Sequence, residues 1–289
     1  AAGQHSALMV GPPGTGKSML AQRFAGLLPP LSQNEALESA AVLSLAGHFD
    51  PARWMQRIMR SPHHSASAVA MVGGGSPPRP GEISLAHQGV LFLDELPEFP
   101  RTAIEVLRQP MEDGQVTISR ASGTVIYPSR FMLIATQNPC PCGFATDPNH
   151  DCSCTGQQIA RYTRKISGPL LDRIDIHVEV AAVKSRDLTS APDGERSAAI
   201  IERVITARQR QAPRGSISNG QLTNEQIHQW CSLSDEATVM ANRAVTNLAL
   251  SARGYMRLLK VARTIADLDG QSTIDSIHLS EALQYRARV

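Results

Sequence analysis

The chain has 289 residues, 42% of them hydrophobic, 19% charged and 4% aromatic, which is the composition of a folded globular protein and not of a disordered or membrane one. No run approaches the roughly 18 uninterrupted apolar residues of a membrane span, and Ala1-Ala2-Gly3-Gln4-His5 has neither the charged nor the apolar region of a signal peptide, so a cytoplasmic protein with no membrane partner is expected. A net charge of +2 announces no nucleic-acid partner by itself, yet only Lys17, Lys165, Lys184 and Lys260 of the 28 basic residues are lysine; arginine's planar fork suits phosphates and subunit interfaces, while a codon bias would leave the same count.

In chain order, Ala7–Val10 reads as a short apolar strand running straight into a glycine-rich loop, and a fold that opens on a core strand is expected of a piece of a longer protein. Ser18–Leu28 reads as a helix stopped by Pro29-Pro30, and Glu35–Leu45 keeps helical spacing. Residues 47–81 break the pattern with Pro, Ser, basic residues and Gly73-Gly74-Gly75, which predicts a long insertion with a functional or mobile character. Gly89–Leu93 and Phe131–Thr136 are apolar runs suited to buried parallel strands. Between them Thr102–Met111 is helical, and Gln115–Ser119 and Thr124–Tyr127 flank Arg120-Ala121-Ser122-Gly123 as a hairpin over residues 115–128. Ile174–Val180 alternates into a last strand. Beyond about Ala182 only helical periodicity remains, over Glu195–Gln211, Asn224–Cys231, Asp235–Ser251, Gly254–Leu268 and Ile274–Arg288. The predicted fold class is α/β, with a P-loop parallel-sheet domain over residues 1–182 and a smaller all-helical domain over 183–289.

Gly11-Pro12-Pro13-Gly14-Thr15-Gly16-Lys17-Ser18 fits G-x-x-x-x-G-K-[ST] with the strand before and the helix after that this motif requires. Its glycines let backbone N–H groups turn around the phosphates, and the helix start adds a positive dipole end. Lys17 is expected on the β- and γ-phosphates of ATP and Ser18 on Mg²⁺, with Met19 in the same contact set. Val90–Leu93 then delivers Asp94 and Glu95 to the carboxyl edge of the sheet, where Asp94 can bind Mg²⁺ and Glu95 can polarise an attacking water. Asn138, at the end of the third buried strand, can hold that water, or can simply cap a turn before Pro139.

The segment Gly168-Pro169-Leu170-Leu171-Asp172-Arg173-Ile174-Asp175 resembles the one in which AAA+ proteins carry an arginine finger. A cation there stabilises charge developing on the γ-phosphate of a neighbouring subunit; an ion pair of Arg173 with Asp172 or Asp175 is the alternative. Arg253 resembles the second sensor arginine of AAA+ lids, which touches nucleotide, with Arg257 one turn on as the fallback.

Over nearly its whole length the chain resembles the magnesium-chelatase-like branch of the AAA+ ATPases, and within it the ComM-like (YifB-like) proteins. The resemblance is carried by Gly73-Gly74-Gly75-Ser76, by Pro80-Gly81-Glu82-Ile83-Ser84-Leu85-Ala86-His87 and by Leu93-Asp94-Glu95-Leu96-Pro97-Glu98-Phe99. Asn138-Pro139-Cys140-Pro141-Cys142-Gly143 and Ile166–Asp175 extend it. It implies an AAA+ core with a helical lid, a hexameric homo-oligomer in the complete protein, and a helicase acting in branch migration during natural transformation. It also implies a preceding Lon-protease-like domain, and two pore elements for single-stranded or branched DNA: an insertion in the second helix and a hairpin before the Asn138 strand. The insertion offers Arg53, Arg57, Arg60 and Arg79 against the single acid Asp50, and the hairpin tip offers Arg120 beside Ser119 and Ser122. Such groups suit phosphate oxygens without sequence preference. Aromatic side chains are scarce at both places, so base stacking is expected to be minor.

Cys140-Pro141-Cys142 and Cys152-Ser153-Cys154 bracket a nine-residue loop. Four thiolates can hold a structural Zn²⁺ tetrahedrally, although C-x-C is tighter than the usual spacing; reduced thiols and an oxidised pair are the alternatives. The main functional alternative to a DNA motor is a chelatase-type ATPase that remodels a protein, and a nucleotide-dependent scaffold comes next.

Overall fold

The computed structural model describes residues 1–120, 123–182, 194–215 and 217–286. Five strands form one parallel sheet: β1 (Ala7–Val10), β2 (Met59–Arg60), β5 (Val90–Leu93), β8 (Met132–Gln137) and β9 (Ile176–Glu179), in the order β2-β5-β8-β1-β9. Two antiparallel hairpins stand outside it, β3 (Gly73–Gly74) with β4 (Arg79–Pro80) and β6 (Gln115–Arg120) with β7 (Gly123–Pro128). The central strands are apolar on both faces because helices cover both. With a side-chain period of two, Leu8, Leu91, Leu93 and Leu133 turn to one face and pack with Ile83, Ile104, Leu107 and Leu170. Val90, Phe92, Met132 and Ile134 turn to the other and pack with Ala21 and Leu28. Leu91, Leu93 and Leu133 are wholly buried, and burial of each contributes about 1.5–3 kcal/mol.

The helices of this layer are α1 (Lys17–Phe24), α2 (Gln33–Leu45), α3 (Ala68–Val72), α4 (Glu82–Leu85), α5 (Arg101–Glu105), α6 (Pro110–Asp113), α7 (Gly156–Thr163) and α8 (Gly168–Leu171). Five more follow: α9 (Ser197–Gln211), α10 (Asn224–Trp230), α11 (Asp235–Asn247), α12 (Ala252–Asp269) and α13 (Ser276–Gln284). They share a second core, in which Leu258, Ala262 and Ala266 of α12 meet Ile227, Ala241 and Leu279. Helix α12 starts where the Ser251 side chain accepts the Gly254 N–H (3.1 Å) and stops at left-handed Gly270. Among the described residues no helix is long and apolar enough to cross a membrane.

Three local expectations change. Residues 47–81 are not wholly an insertion: β2 lies inside them and completes the sheet edge, with Val90 N–H donating to Ile58 O (2.8 Å). The predicted helix Thr102–Met111 is two helices, α5 and α6, because Pro110 brings no N–H and is admitted only at a helix start. Helix α2 starts two residues before Glu35, at a capping box in which Ser32 and Glu35 satisfy each other's backbone N–H. Ala121 and Ser122 of the hairpin tip, the junction at Ala182/Val183 and Arg288 at the end of the last predicted helix adjoin or lie outside the described residues.

Candidate active site

Strand register builds the site. Val10 pairs with Gln137 and Leu93 with Ala135, so the residues just beyond these strands, Gly11, Asn138 and Asp94, come together at the carboxyl edge. The chain turns there through Gly14 and Gly16, both with positive φ (77° and 83°), a conformation glycine adopts without steric cost. Gly11 is required for another reason: a Cβ on it would stand 2.2 Å from the Val180 carbonyl oxygen. Lys17 is buried, and its ammonium donates to Gly11 O and Pro12 O (2.7 Å each) and to Asn138 Oδ1 (3.3 Å). Burial lowers its pKa, and the nearby carboxylates of Asp94 and Glu95 oppose that shift. Thr15 Oγ1 donates to Pro12 O (3.0 Å), while Met19 stands exposed beside the loop.

Ser18 Oγ donates to both carboxylate oxygens of Asp94, at 2.9 and 3.1 Å. One hydroxyl and one carboxylate, side by side at the phosphate loop, form an all-oxygen donor pair that fits Mg²⁺. Thr136, which the sequence reading passed over, organises the acidic pair. Its hydroxyl donates to Asp94 Oδ1 (2.5 Å) and accepts the Glu95 N–H (2.9 Å). The available signal was a hydroxyl one strand over, in register beside the acidic strand end. Glu95 is exposed and has φ +53°, a left-handed conformation that costs a non-glycine residue on the order of 1 kcal/mol or more and is held only where surroundings enforce it. Here the Thr136 contact does so.

The arginines lie elsewhere. Arg173 and Asp175 precede β9, which runs parallel to β1, so they sit at the edge opposite the phosphate loop. A cleft of about 890 Å³ at that edge is lined by Gln88, Glu112, Arg130, Arg173, Arg253 and Lys260. Glu112 receives Arg173 on one carboxylate oxygen and Arg253 on the other (2.7 Å). Within one chain, then, Arg253 does not meet the chain's own phosphate loop. Arg173 pairs with Glu112, not with Asp172 or Asp175. Arg257 holds Asp175 Oδ1 (2.5 Å) and the Arg173 carbonyl (2.6 Å). Asp175 also meets His5 Nδ1 (3.0 Å), whose Nε2 lies 2.8 Å from Thr264 Oγ1 in α12. Burial would raise the Asp175 pKa, but the His5 hydrogen bond and the cations around it hold it below the usual value.

The three arginines assigned to DNA do not stay together. Arg60 donates to both oxygens of Glu82 at 2.7 Å each, a part-buried bidentate pair, and so is not a free phosphate ligand. Arg57 is likewise engaged, by Glu35, Pro29 O and Gln88 O. Arg79 and Arg120 are exposed, and their hairpins touch. A Cβ on Gly74 would lie 3.0 Å from Arg120 Nη2, and Tyr127 O–H donates to Pro78 O (2.8 Å).

The four clustered cysteines converge, with all sulfurs within 4.8 Å of one another. Their loop returns to the nucleotide edge, where Gly143 packs on Pro13.

Comparison with known proteins agrees with this architecture. Residues 1–188 match the family described as magnesium chelatase, subunit ChlI, and residues 194–286 match its C-terminal counterpart. The uncharacterized protein YifB of Escherichia coli is 50% identical over 289 residues, covering 99% of this chain and 57% of YifB. Competence protein ComM of Haemophilus influenzae is 49% identical over 291 residues, covering 100% of this chain and 57% of ComM. The magnesium-chelatase 38 kDa subunit of Rhodobacter capsulatus is 24% identical over 315 residues, covering 97% of this chain and 80% of that subunit. The chain thus spans a little over half the length of the YifB and ComM relatives.

Proposed function

The chain belongs to the magnesium-chelatase ChlI family of AAA+ proteins, and from that membership we propose that it is the motor part of an ATP-hydrolysing ring that moves DNA in the cytoplasm. Branch migration during the uptake and integration of DNA is the role we assign, in line with its similarity to a competence protein. The observation that carries the ring is the separation of phosphate loop and arginines to opposite edges of one parallel sheet. A single chain cannot close such a site on itself; a second copy, presenting its Arg173 edge to the first copy's phosphate loop, can. A hexamer repeats that contact until it closes.

In this reading Lys17 binds the β- and γ-phosphates, exchanging loop carbonyls for phosphate oxygens. Glu95 takes the proton of the attacking water and Asn138 orients it. Arg173 of the neighbouring copy, with Arg253 beside it, offsets the charge that builds on the γ-phosphate. Both must leave Glu112 to do so. Ser18 and Asp94 would hold Mg²⁺, which supplies charge neutralisation at the phosphates. The four thiols hold a structural Zn²⁺, since four thiolates leave no open position for chemistry. DNA meets the paired tips of β3–β4 and β6–β7, where Arg79 and Arg120 present cations to its backbone.

The test uses the complete protein with three- and four-way DNA junctions. Strand exchange that requires ATP, together with hydrolysis stimulated by single-stranded DNA, is expected. Hydrolysis indifferent to any nucleic acid would instead favour a chelatase-type ATPase acting on a protein.

A further inference from the structure

Strand β8 ends at Gln137, Asn138-Pro139 follow, and the next residue is Cys140. The water-orienting candidate and the first thiol are therefore separated by one proline. The Sγ of Cys140 lies 3.3 Å from that of Cys142 and 3.7 Å from that of Cys152, and Cys142 and Cys152 are 3.6 Å apart. Four sulfurs placed tetrahedrally about 2.3 Å from a zinc ion stand about 3.8 Å from one another, whereas a disulfide brings two to about 2.05 Å. The three observed distances are too long for a bond and come close to the spacing around one ion, with the Cys154 sulfur within 4.8 Å of the rest. The Cys154 N–H donates to Cys152 Sγ (3.4 Å), which ties the second cysteine pair together.

The same loop reaches the phosphate loop. Gly143 follows Cys142 directly, has φ +89°, and donates its N–H to Cys140 O (3.0 Å). A Cβ on Gly143 would stand 2.7 Å from Pro13 Cδ and 3.1 Å from Cγ, so glycine alone permits this approach. Pro13 lies within the phosphate loop, and Asn138 at the other end of the cysteine loop accepts from Lys17. The loop that carries the thiols thus meets the nucleotide site at two points, Pro13 and Asn138.

We infer that zinc held by Cys140, Cys142, Cys152 and Cys154 clamps Pro13 and Asn138, so that zinc and ATP bind with positive coupling. The inference rests on the reading that the thiols hold Zn²⁺, and adds what the ion does. Without it, a loop with no regular structure between Cys142 and Cys152 must be ordered when nucleotide binds, and that ordering entropy weakens binding. Coupling is reciprocal: if zinc tightens ATP, ATP tightens zinc by the same factor.

The test uses the complete protein purified without chelator. Elemental analysis should find about one zinc per chain. Stripping the metal with a high-affinity chelator, with the fold checked by circular dichroism, should weaken binding of a fluorescent ATP analogue about tenfold, and added Zn²⁺ should restore it. Saturating nucleotide should slow zinc release to a colorimetric chelator. A second variant, Gly143→Ala, keeps every thiol; it should retain zinc yet lose nucleotide affinity. Zinc present but affinity unchanged on stripping overturns the coupling and leaves the metal reading standing. No zinc, with four titratable thiols in the folded protein, overturns the metal reading and the coupling with it.

Discussion

At the scale of single residues, the nucleotide edge is a small hydrogen-bonded unit in which each polar group has a defined task. Ser18 and Thr136 both donate to the Asp94 carboxylate, and Thr136 also holds the Glu95 backbone. Glu95→Gln should therefore leave ATP binding near the parent value while turnover falls by roughly 10²–10⁴, the range assigned to a positioned general base. Comparing nucleotide affinity with steady-state hydrolysis checks this, and equal turnover in variant and parent would point to another base. Thr136→Val keeps the shape and removes the hydroxyl. It should cost about 0.5–1.5 kcal/mol of stability through the lost hydrogen bonds to the Glu95 N–H and the Asp94 carboxylate, and lower turnover by releasing Glu95 from its left-handed backbone. Chemical denaturation and hydrolysis rates on the same variant separate the two effects.

At the scale of elements, two arginines close in sequence have different jobs because of what their strands pair with. Arg60 lies in β2 of the main sheet and forks onto Glu82, whereas Arg79 lies in a hairpin outside the sheet and is exposed. Arg79→Ala and Arg120→Ala should each weaken binding of single-stranded DNA and flatten its salt dependence by about one phosphate contact, with the fold unaffected. Arg60→Ala should instead destabilise the protein by about 1–3 kcal/mol, through loss of its part-buried, bidentate pair with Glu82, with the salt slope of DNA binding unchanged. Binding titrations across a salt series decide it. The lid is tied to the core by a second polar element, in which Asp175 joins His5, Arg257 and the chain around Thr264. Because the Asp175 pKa is held below its unfolded value of about 3.9, its contribution is fully present above that value and is lost as pH falls from about 4 toward the lowered native value. Asp175→Asn should therefore lower stability at neutral pH and make the acid limb of the stability profile shallower, as urea melts from pH 3 to pH 7 would show.

At the scale of the whole molecule, the parallel sheet sets the division of labour. Its carboxyl edge gathers Gly11–Ser18, Asp94, Glu95 and Asn138, and its opposite edge gathers Arg173 and Arg253 on Glu112. If a neighbouring copy completes each site, Lys17→Ala and Arg173→Ala versions of the complete protein should each hydrolyse ATP poorly. Mixed, they should recover part of the rate, because an interface between the two can pair an intact phosphate loop with an intact finger. A mixture no more active than its components would show that the arginine acts within its own chain.

The sequence by itself determined the α/β order followed by helices, the strands that carry the phosphate loop and the acidic pair, and the thiol cluster. All of these are written in local patterns: a period of two or of 3.6, a glycine where φ must be positive, two closely spaced cysteine pairs. The tertiary structure decided which cations are free. Arg57 and Arg60 read as a basic loop until β2 joins the sheet edge and brings Glu35 and Glu82 against them. It also decided which edge Arg253 occupies and that Thr136 holds the acidic pair. Those facts depend on strand register and on how the lid docks, where partners 41 to 141 residues apart meet, and no local pattern records a contact of that span.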